Sequence, residues 1–369
     1  RVSDICIFGR SLWTCVTPTI AQVRQPHHAG IRPILRDRCA MRDRAVHMTV
    51  GRQNIAGLGI FFVMIGVFSI SINDLLIKEL SGSYPLHQIV FTRSGIGILF
   101  SLMIVQYEGG IGILRTTQPW MHALRGVLIV IANMTYFVAL AVLPLADATA
   151  LFFAAPLFIT LLSIPILGEK VGPLRLTAVA IGFGGVVIMQ RPWADTSDLE
   201  VSRIVLLLPV LSALTYALNQ LMTRKLGVTS KASAMAVYIQ ATFLLVSVLF
   251  FIVAGDGRFA DGATNGSVIF LLRAWVWPAD TDLWVFVGLG VNSAIIGYCL
   301  SQAYRLADAA TIAPFEYVGL PLAVFWGFFV FGDLPVIEVW VGIALILGSG
   351  LFVFLRERHK ARMLAHAQI

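Results

Sequence analysis

A chain of 369 residues that is 58% hydrophobic and 13% charged is not covered mostly by water-exposed surface, since soluble domains carry about 25% charged residues. Its net charge of +7 sits in short loops and tails with no aromatic-interleaved basic patch, which speaks against a nucleic-acid partner and for a membrane protein. Cys6, Cys15 and Cys39 crowd the N-terminal stretch while Cys299 lies in an apolar run, a spacing that gives neither a disulfide framework nor a zinc site.

Residues 1–55 open the chain as a basic extension, expected to be disordered. Arg1 to His47 is Arg-rich, has no signal-peptide core and precedes Met48. It reads as a basic cytoplasmic tail or as an upstream extension ahead of a true start at Met48. Either way it is expected to be dispensable for folding and transport.

Apolar runs then predict five spanning helices at about Ala56–Ile77, Tyr84–Val105, Trp120–Val142, Ala146–Leu167 and Pro173–Met189. Five more follow at Ile204–Thr223, Ala232–Ala254, Leu283–Tyr304, Ala307–Phe331 and Val336–Leu355, before a basic tail at 356–369. Each run is long enough, at about 1.5 Å per residue, to cross a hydrocarbon core. The long 255–282 connection carries Phe270–Pro278, whose tryptophans favour the outer headgroup interface. Its Asn265-Gly266-Ser267 sequon is read as chance.

The halves 56–190 and 204–355 repeat each other. Ile72-Asn73-Asp74-Leu75-Leu76-Ile77-Lys78 returns as Leu218-Asn219-Gln220-Leu221-Met222-Thr223-Arg224, and Leu145-Ala146-Asp147-Ala148 as Leu306-Ala307-Asp308-Ala309. Each second motif leads into a Pro-containing run that stops at Gly-acid, Gly168-Glu169 and Gly332-Asp333. Such doubling marks two copies of one unit. Loops taken alternately place Arg52, Arg115, Lys170, Arg175, Arg224, Lys225, Lys231, Arg305 and the tail on one side. Lys78, Arg191, Arg203, Arg258 and Arg273 share the other with Asp195, Asp198, Glu200, Asp256, Asp261, Asp280 and Asp282. Basic residues favour the cytoplasm, so both termini are expected inside. An odd number of spans per unit inverts the second copy. The expected fold is therefore an all-α polytopic membrane protein of ten transmembrane helices in two inverted five-helix repeats, an architecture of secondary transporters.

These residues resemble the tandem EamA-type domains of the drug/metabolite transporter superfamily over about 56–355. Asn73…Lys78, Asn219…Arg224, Pro85…Gln88…Arg93 and the two Leu-Ala-Asp-Ala…Pro…Gly-acid runs carry the resemblance. The Asn73-Asp74…Lys78 and Pro85…Gln88…Arg93 signature is similar to that of the subgroup of S-adenosylmethionine and riboflavin carriers. The resemblance implies a bacterial inner-membrane carrier of amino acids, nucleotide-related metabolites, vitamins or drugs, inward or outward, with a central cavity formed by both halves.

Ionisable groups inside a span are costly unless paired or wet. Glu316 and Arg93 are expected at middle depth, either facing the cavity, with Glu316 exchanging a proton, or forming an internal ion pair or helix-end snorkel. Tyr317, Phe152, Tyr298, Tyr136 and Trp326 are candidates to stack on a flat ligand, against the alternative of packing or lipid contact. Asn73, Asn219 and Gln240 occupy matched or nearly matched positions and serve either a shared cavity or helix bridging. Asp74 and Lys78 read as solvated, and Asp147 and Asp308 as helix N-caps. Pro156, Pro165, Pro314 and Pro321 favour kinks. No catalytic residue, metal site, cofactor or ATP-binding loop is visible, which disfavours an intramembrane enzyme and direct ATP drive. A scaffold or a channel fits less well than a carrier. The partners expected are a small-molecule substrate and the lipid bilayer, and a homodimer is compatible with the sequence.

Overall fold

The computed structural model describes residues 57–367 apart from 170, 191–201, 228 and 308. The basic extension, Arg52, Lys170, Arg191, Asp195, Asp198, Glu200 and Asp308 therefore lie outside the described residues. Every apolar run forms helix, because a chain in hydrocarbon must satisfy its backbone N–H and C=O groups within itself. The helices are α1 Gly57–Leu80, α2 Leu86–Glu108, α3 Pro119–Leu140, α4 Leu145–Phe152, α5 Ala155–Leu167, α6 Pro173–Met189 and α7 Arg203–Leu226. Then come α8 Ala232–Ala254, α9 Gly266–Leu272, α10 Asp280–Leu306, α11 Ala309–Glu316, α12 Gly319–Trp326 and α13 Ile337–Ala367. Among the described residues there is no strand.

Seven helices are long and apolar enough to cross a membrane, counting Leu145–Leu167 as one. Three shorter apolar helices occupy Pro173–Met189, Gly319–Phe331 and Ile337–Phe352. Polarity is reversed relative to a soluble bundle. Phe61, Met103, Ile181, Leu245 and Phe329 are exposed on the outside, while Arg93, Arg125, Asn219, Gln240 and Glu316 are buried within. A lipid-facing exterior around a polar interior is the arrangement of a multi-pass membrane protein.

The expected proline kinks are full breaks at two places. Pro156 lacks the N–H that would bond the Phe152 carbonyl, and Pro321 likewise fails Tyr317, so each run separates into two helices, α4/α5 and α11/α12. Both broken runs end alike. Gly168 (φ 70°) and Gly332 (φ 72°) adopt the left-handed conformation that glycine tolerates. Gly168 N–H bonds the Ile164 carbonyl and Glu169 N–H that of Ser163; Gly332 and Asp333 repeat this onto Phe328 and Gly327. The Gly-acid doubling in the sequence is thus a pair of helix caps.

Packing runs largely between the halves: α3 lies on α7, α2 on α8, and α6 on α13. Close approach of α6 and α13 rests on glycine, since a Cβ at Gly185 would stand 2.9 Å from the Gly342 carbonyl oxygen. The 255–279 connection folds over the start of α2. Gln88 donates to the Val276 carbonyl (2.6 Å) and accepts from Val276 N–H (3.1 Å), while the Tyr84 hydroxyl donates to Asp282 (2.7 Å) and accepts from Ala279 N–H (3.0 Å). Within it Asn265 caps α9 by accepting from Ser267 N–H at 2.9 Å. Phe270 is buried, whereas Trp277 is 90% exposed.

Candidate functional site

A central cavity opens where α1, α2, α3 and α4 of the first half meet α7, α8 and α10 of the second. It holds about 850 Å³ of space between atoms, its opening included. Helical spacing explains the lining: Ile129, Ala132, Asn133 and Tyr136 follow one face of α3, and Ser212, Tyr216 and Asn219 one face of α7.

Arg93 sits at one end. Its terminal nitrogens donate to Asn73 (3.1 Å) and Asn133 (2.9 Å), and its guanidinium lies over the rings of Phe137 and Phe243. Asn73 in turn donates to Asp74 at 3.4 Å, and the Tyr136 hydroxyl donates to the other carboxylate oxygen at 3.1 Å. Asn73 therefore links the cation on α2 to the neighbouring anion on α1. Asp74 is 7% exposed, which corrects the reading of it as solvated. It lies about 9 Å of helix rise from the end of α1, on the face shared with Ile70 that turns inward. Lys78, one turn on, is near the helix end but is not solvated either: its side chain is 15% exposed, donating to the Leu143 carbonyl at 2.6 Å with Asp333 3.9 Å away.

Arg125 lies toward the opposite end of the cavity and is 2% exposed. It donates to Thr223 (2.6 Å), the Met235 carbonyl (3.1 Å) and Ser301 (3.2 Å), one partner each from α7, α8 and α10. The sequence reading did not single it out. Between the two guanidiniums the walls carry Phe152, Tyr136, Phe137, Tyr216 and Phe243. The Asn219 Oδ1 and Gln240 Oε1 atoms are buried and have no hydrogen-bond partner among the described residues.

Glu316 lines a second, smaller cavity, which shares Asp74, Phe152 and Tyr216 with the first. Its Oε1 accepts from the hydroxyls of Tyr304 (2.6 Å) and Tyr216 (3.2 Å). The expected candidates thus separate. Arg93, Asn73, Asn219, Gln240, Phe152 and Tyr136 meet in the central cavity, with Glu316 behind the Phe152–Tyr216 wall. Tyr317 packs on Phe153 and beside Gly350, away from the centre. Trp326 donates to Ser71 at 3.3 Å, and Tyr298 donates to Glu108 at 2.9 Å near the far end of α2; neither lines a cavity described here. Asp147 stands in the first turn of α4, whose N-cap is Pro144, so it favours the helix dipole without capping. Among the described residues no group of three or more His, Cys, Asp or Glu gathers to hold a metal ion.

The model of the EamA-like transporter family matches residues 57–191. The riboflavin transporter of Rhizobium johnstonii is 33% identical over 280 residues, covering 76% of this chain and 84% of that one. The S-adenosylmethionine uptake transporter of Rickettsia prowazekii is 25% identical over 300 residues, covering 81% of this chain and 93% of that one. The pseudopaline exporter CntI of Pseudomonas aeruginosa is 26% identical over 279 residues, covering 75% and 89%.

Proposed function

The chain belongs to the EamA-like transporter family of the drug/metabolite transporter superfamily, and on that premise we propose a secondary carrier of a flat, ring-containing metabolite, working by alternating access in the bacterial inner membrane. That it transports a small metabolite follows from its relatives. The central cavity carries the finer reading, because both halves build it and its aromatic walls alternate with hydrogen-bonding groups. Arg93, Asn73, Asn219, Gln240, Phe152 and Tyr136 are proposed to contact substrate. Glu316, in the adjoining cavity, is proposed to carry the coupling proton. Tyr317, Trp326 and Tyr298 support the surrounding helices.

Ten spans in two inverted units complete the proposal. The seven long helices and three shorter apolar ones supply the number, and the matched breaks at Pro156 and Pro321 with matched caps at Gly168 and Gly332 support the repeat. Broken helices beside a central site suit alternating access. Riboflavin is the first probe, since a relative is named for it. Purified protein in proteoliposomes should give saturable riboflavin flux above empty liposomes, and Phe152→Ala with Asn219→Ala should reduce it at least tenfold. Absence of flux for riboflavin, S-adenosylmethionine and aromatic amino acids alike in folded protein would reject the ring-metabolite reading. Export is the second reading, favoured by the likeness to the pseudopaline exporter; flux from right-side-out against inside-out vesicles decides the direction.

A further inference from the structure

The central cavity is lined by three charged side chains, Asp74, Arg93 and Arg125. Two of them offset each other, since Asn73 accepts from Arg93 and donates to Asp74. Arg125 has no such partner. Its three hydrogen bonds end on a hydroxyl, a carbonyl and another hydroxyl, and no ion pair to it exists among the described residues. A guanidinium has five N–H groups. With one bond at each nitrogen, one N–H on each terminal nitrogen stays without a partner among the described residues. An isolated buried charge is costly, so a cavity that keeps one is built for an anion that visits.

We infer that Arg125 anchors an anionic oxygen group of the transported molecule, so that the carrier takes a ring compound bearing a carboxylate or phosphate in preference to its neutral counterpart. The inference rests on the ring-metabolite reading and deepens it by assigning the charge. Paired N–H groups on a planar cation match a carboxylate or phosphate bidentately. Asn133, which holds Arg93, stands about 12 Å of helix rise along α3 from Arg125. A substrate reaching from one to the other places its ring against Phe152 and Tyr136, whose own rings pack together at 5.3 Å. The open acceptors on Asn219 and Gln240 then take N–H or O–H groups on that ring. The occupant is thus an anion at one end and a donor-bearing ring in the middle.

The test uses pairs that share a ring and differ in an anionic group: riboflavin against riboflavin 5′-phosphate, which adds a phosphate, and indole-3-acetamide against the nearly isosteric indole-3-acetate, which replaces an amide by a carboxylate. Binding to the full chain in nanodiscs is followed by ligand or tryptophan fluorescence. The expected result is at least tenfold tighter binding of one or both anions than of their neutral partners. The flavin pair reports a phosphate preference and the indole pair a carboxylate preference. Arg125→Gln should abolish the difference by weakening the anion at least tenfold more than its neutral partner, and Arg125→Lys should keep part of it. Equal affinity within both pairs in the wild-type chain would overturn the inference, whether or not the variants fold. A preference that survives in folded Arg125→Gln would overturn it too, leaving Arg125 as a staple between helices. Binding without charge preference removes this inference alone, whereas failure of all four compounds to bind removes the ring reading and this one with it.

Discussion

At the scale of residues, the two interior carboxylates are held in different ways. Asp74 accepts from Asn73 and Tyr136 near Arg93, so it belongs to a network that includes a cation. Glu316 accepts from two tyrosine hydroxyls, and no ion pair to it exists among the described residues. A proton on Glu316 would disturb no ion pair or cation network among the described residues, whereas one on Asp74 would disturb the network that holds Arg93. Glu316→Gln should therefore leave a folded protein that exchanges substrate but accumulates it at least tenfold less on a pH gradient. The measurement is uptake in proteoliposomes with and without the gradient, normalised to folded protein. Full accumulation in the variant would exclude the coupling role. Glu316 and Arg93 were legible in the sequence because a charge inside an apolar run is conspicuous. Asp74 was misread because closeness to a helix end was weighed without its face, although Ile70, Asn73 and Ile77 at helical spacing mark that face. Arg125 was passed over because a basic residue early in a span resembles the loop charges that set orientation.

At the scale of elements, the apolar runs located the helices to within a few residues except at the end of α13, which continues to Ala367 where the run predicts a stop at Leu355, and Pro173–Met189 and Ala232–Ala254 are as expected. Hydropathy could not reveal that two runs break, because the turn residues Phe153-Ala154 and Tyr317-Val318 are nearly as apolar as the helices they separate. The prolines marked the places but not the extent. Nor could hydropathy show which helices touch, which depends on side-chain volume. The α6–α13 contact illustrates this: a Cβ at Gly185 meets the Gly342 carbonyl oxygen at 2.9 Å, whereas one at Gly184 meets nothing within 4 Å. Gly185→Leu is expected to cost about 1–3 kcal/mol by overpacking and to lower the thermal midpoint by several degrees. Gly184→Leu serves as the control. Matching midpoints for the two variants in detergent would show that this approach of the helices contributes nothing to stability.

At the scale of the whole molecule, side-chain contacts sort the loops into two ends. Lys231 bonds the Glu108 carbonyl, His122 meets Ser230, and Arg224 and Arg305 cross between the ends of α7 and α10. At the other end Lys78 reaches Leu143 and Asp333, Arg273 reaches Gly82, and Tyr84 meets Asp282. The corresponding motif ends, Lys78 and Arg224, thus fall at opposite ends of the bundle, as inversion of one half requires. The first end also carries Arg115, Lys225 and Lys231, while the second gathers Asp256, Asp261, Asp280, Asp282 and Asp333. Because orientation follows Lys and Arg in short loops rather than net charge, the first end is expected in the cytoplasm. Reporter fusions after Lys225 should read cytoplasmic and fusions near Asp261 external. A cytoplasmic reading at both would mean that the 255–282 connection does not lie across the membrane from the 227–231 turn. An external reading at Lys225 would instead reverse the molecule, turning the end nearest Arg125 outward and overturning the orientation drawn from the loop charges.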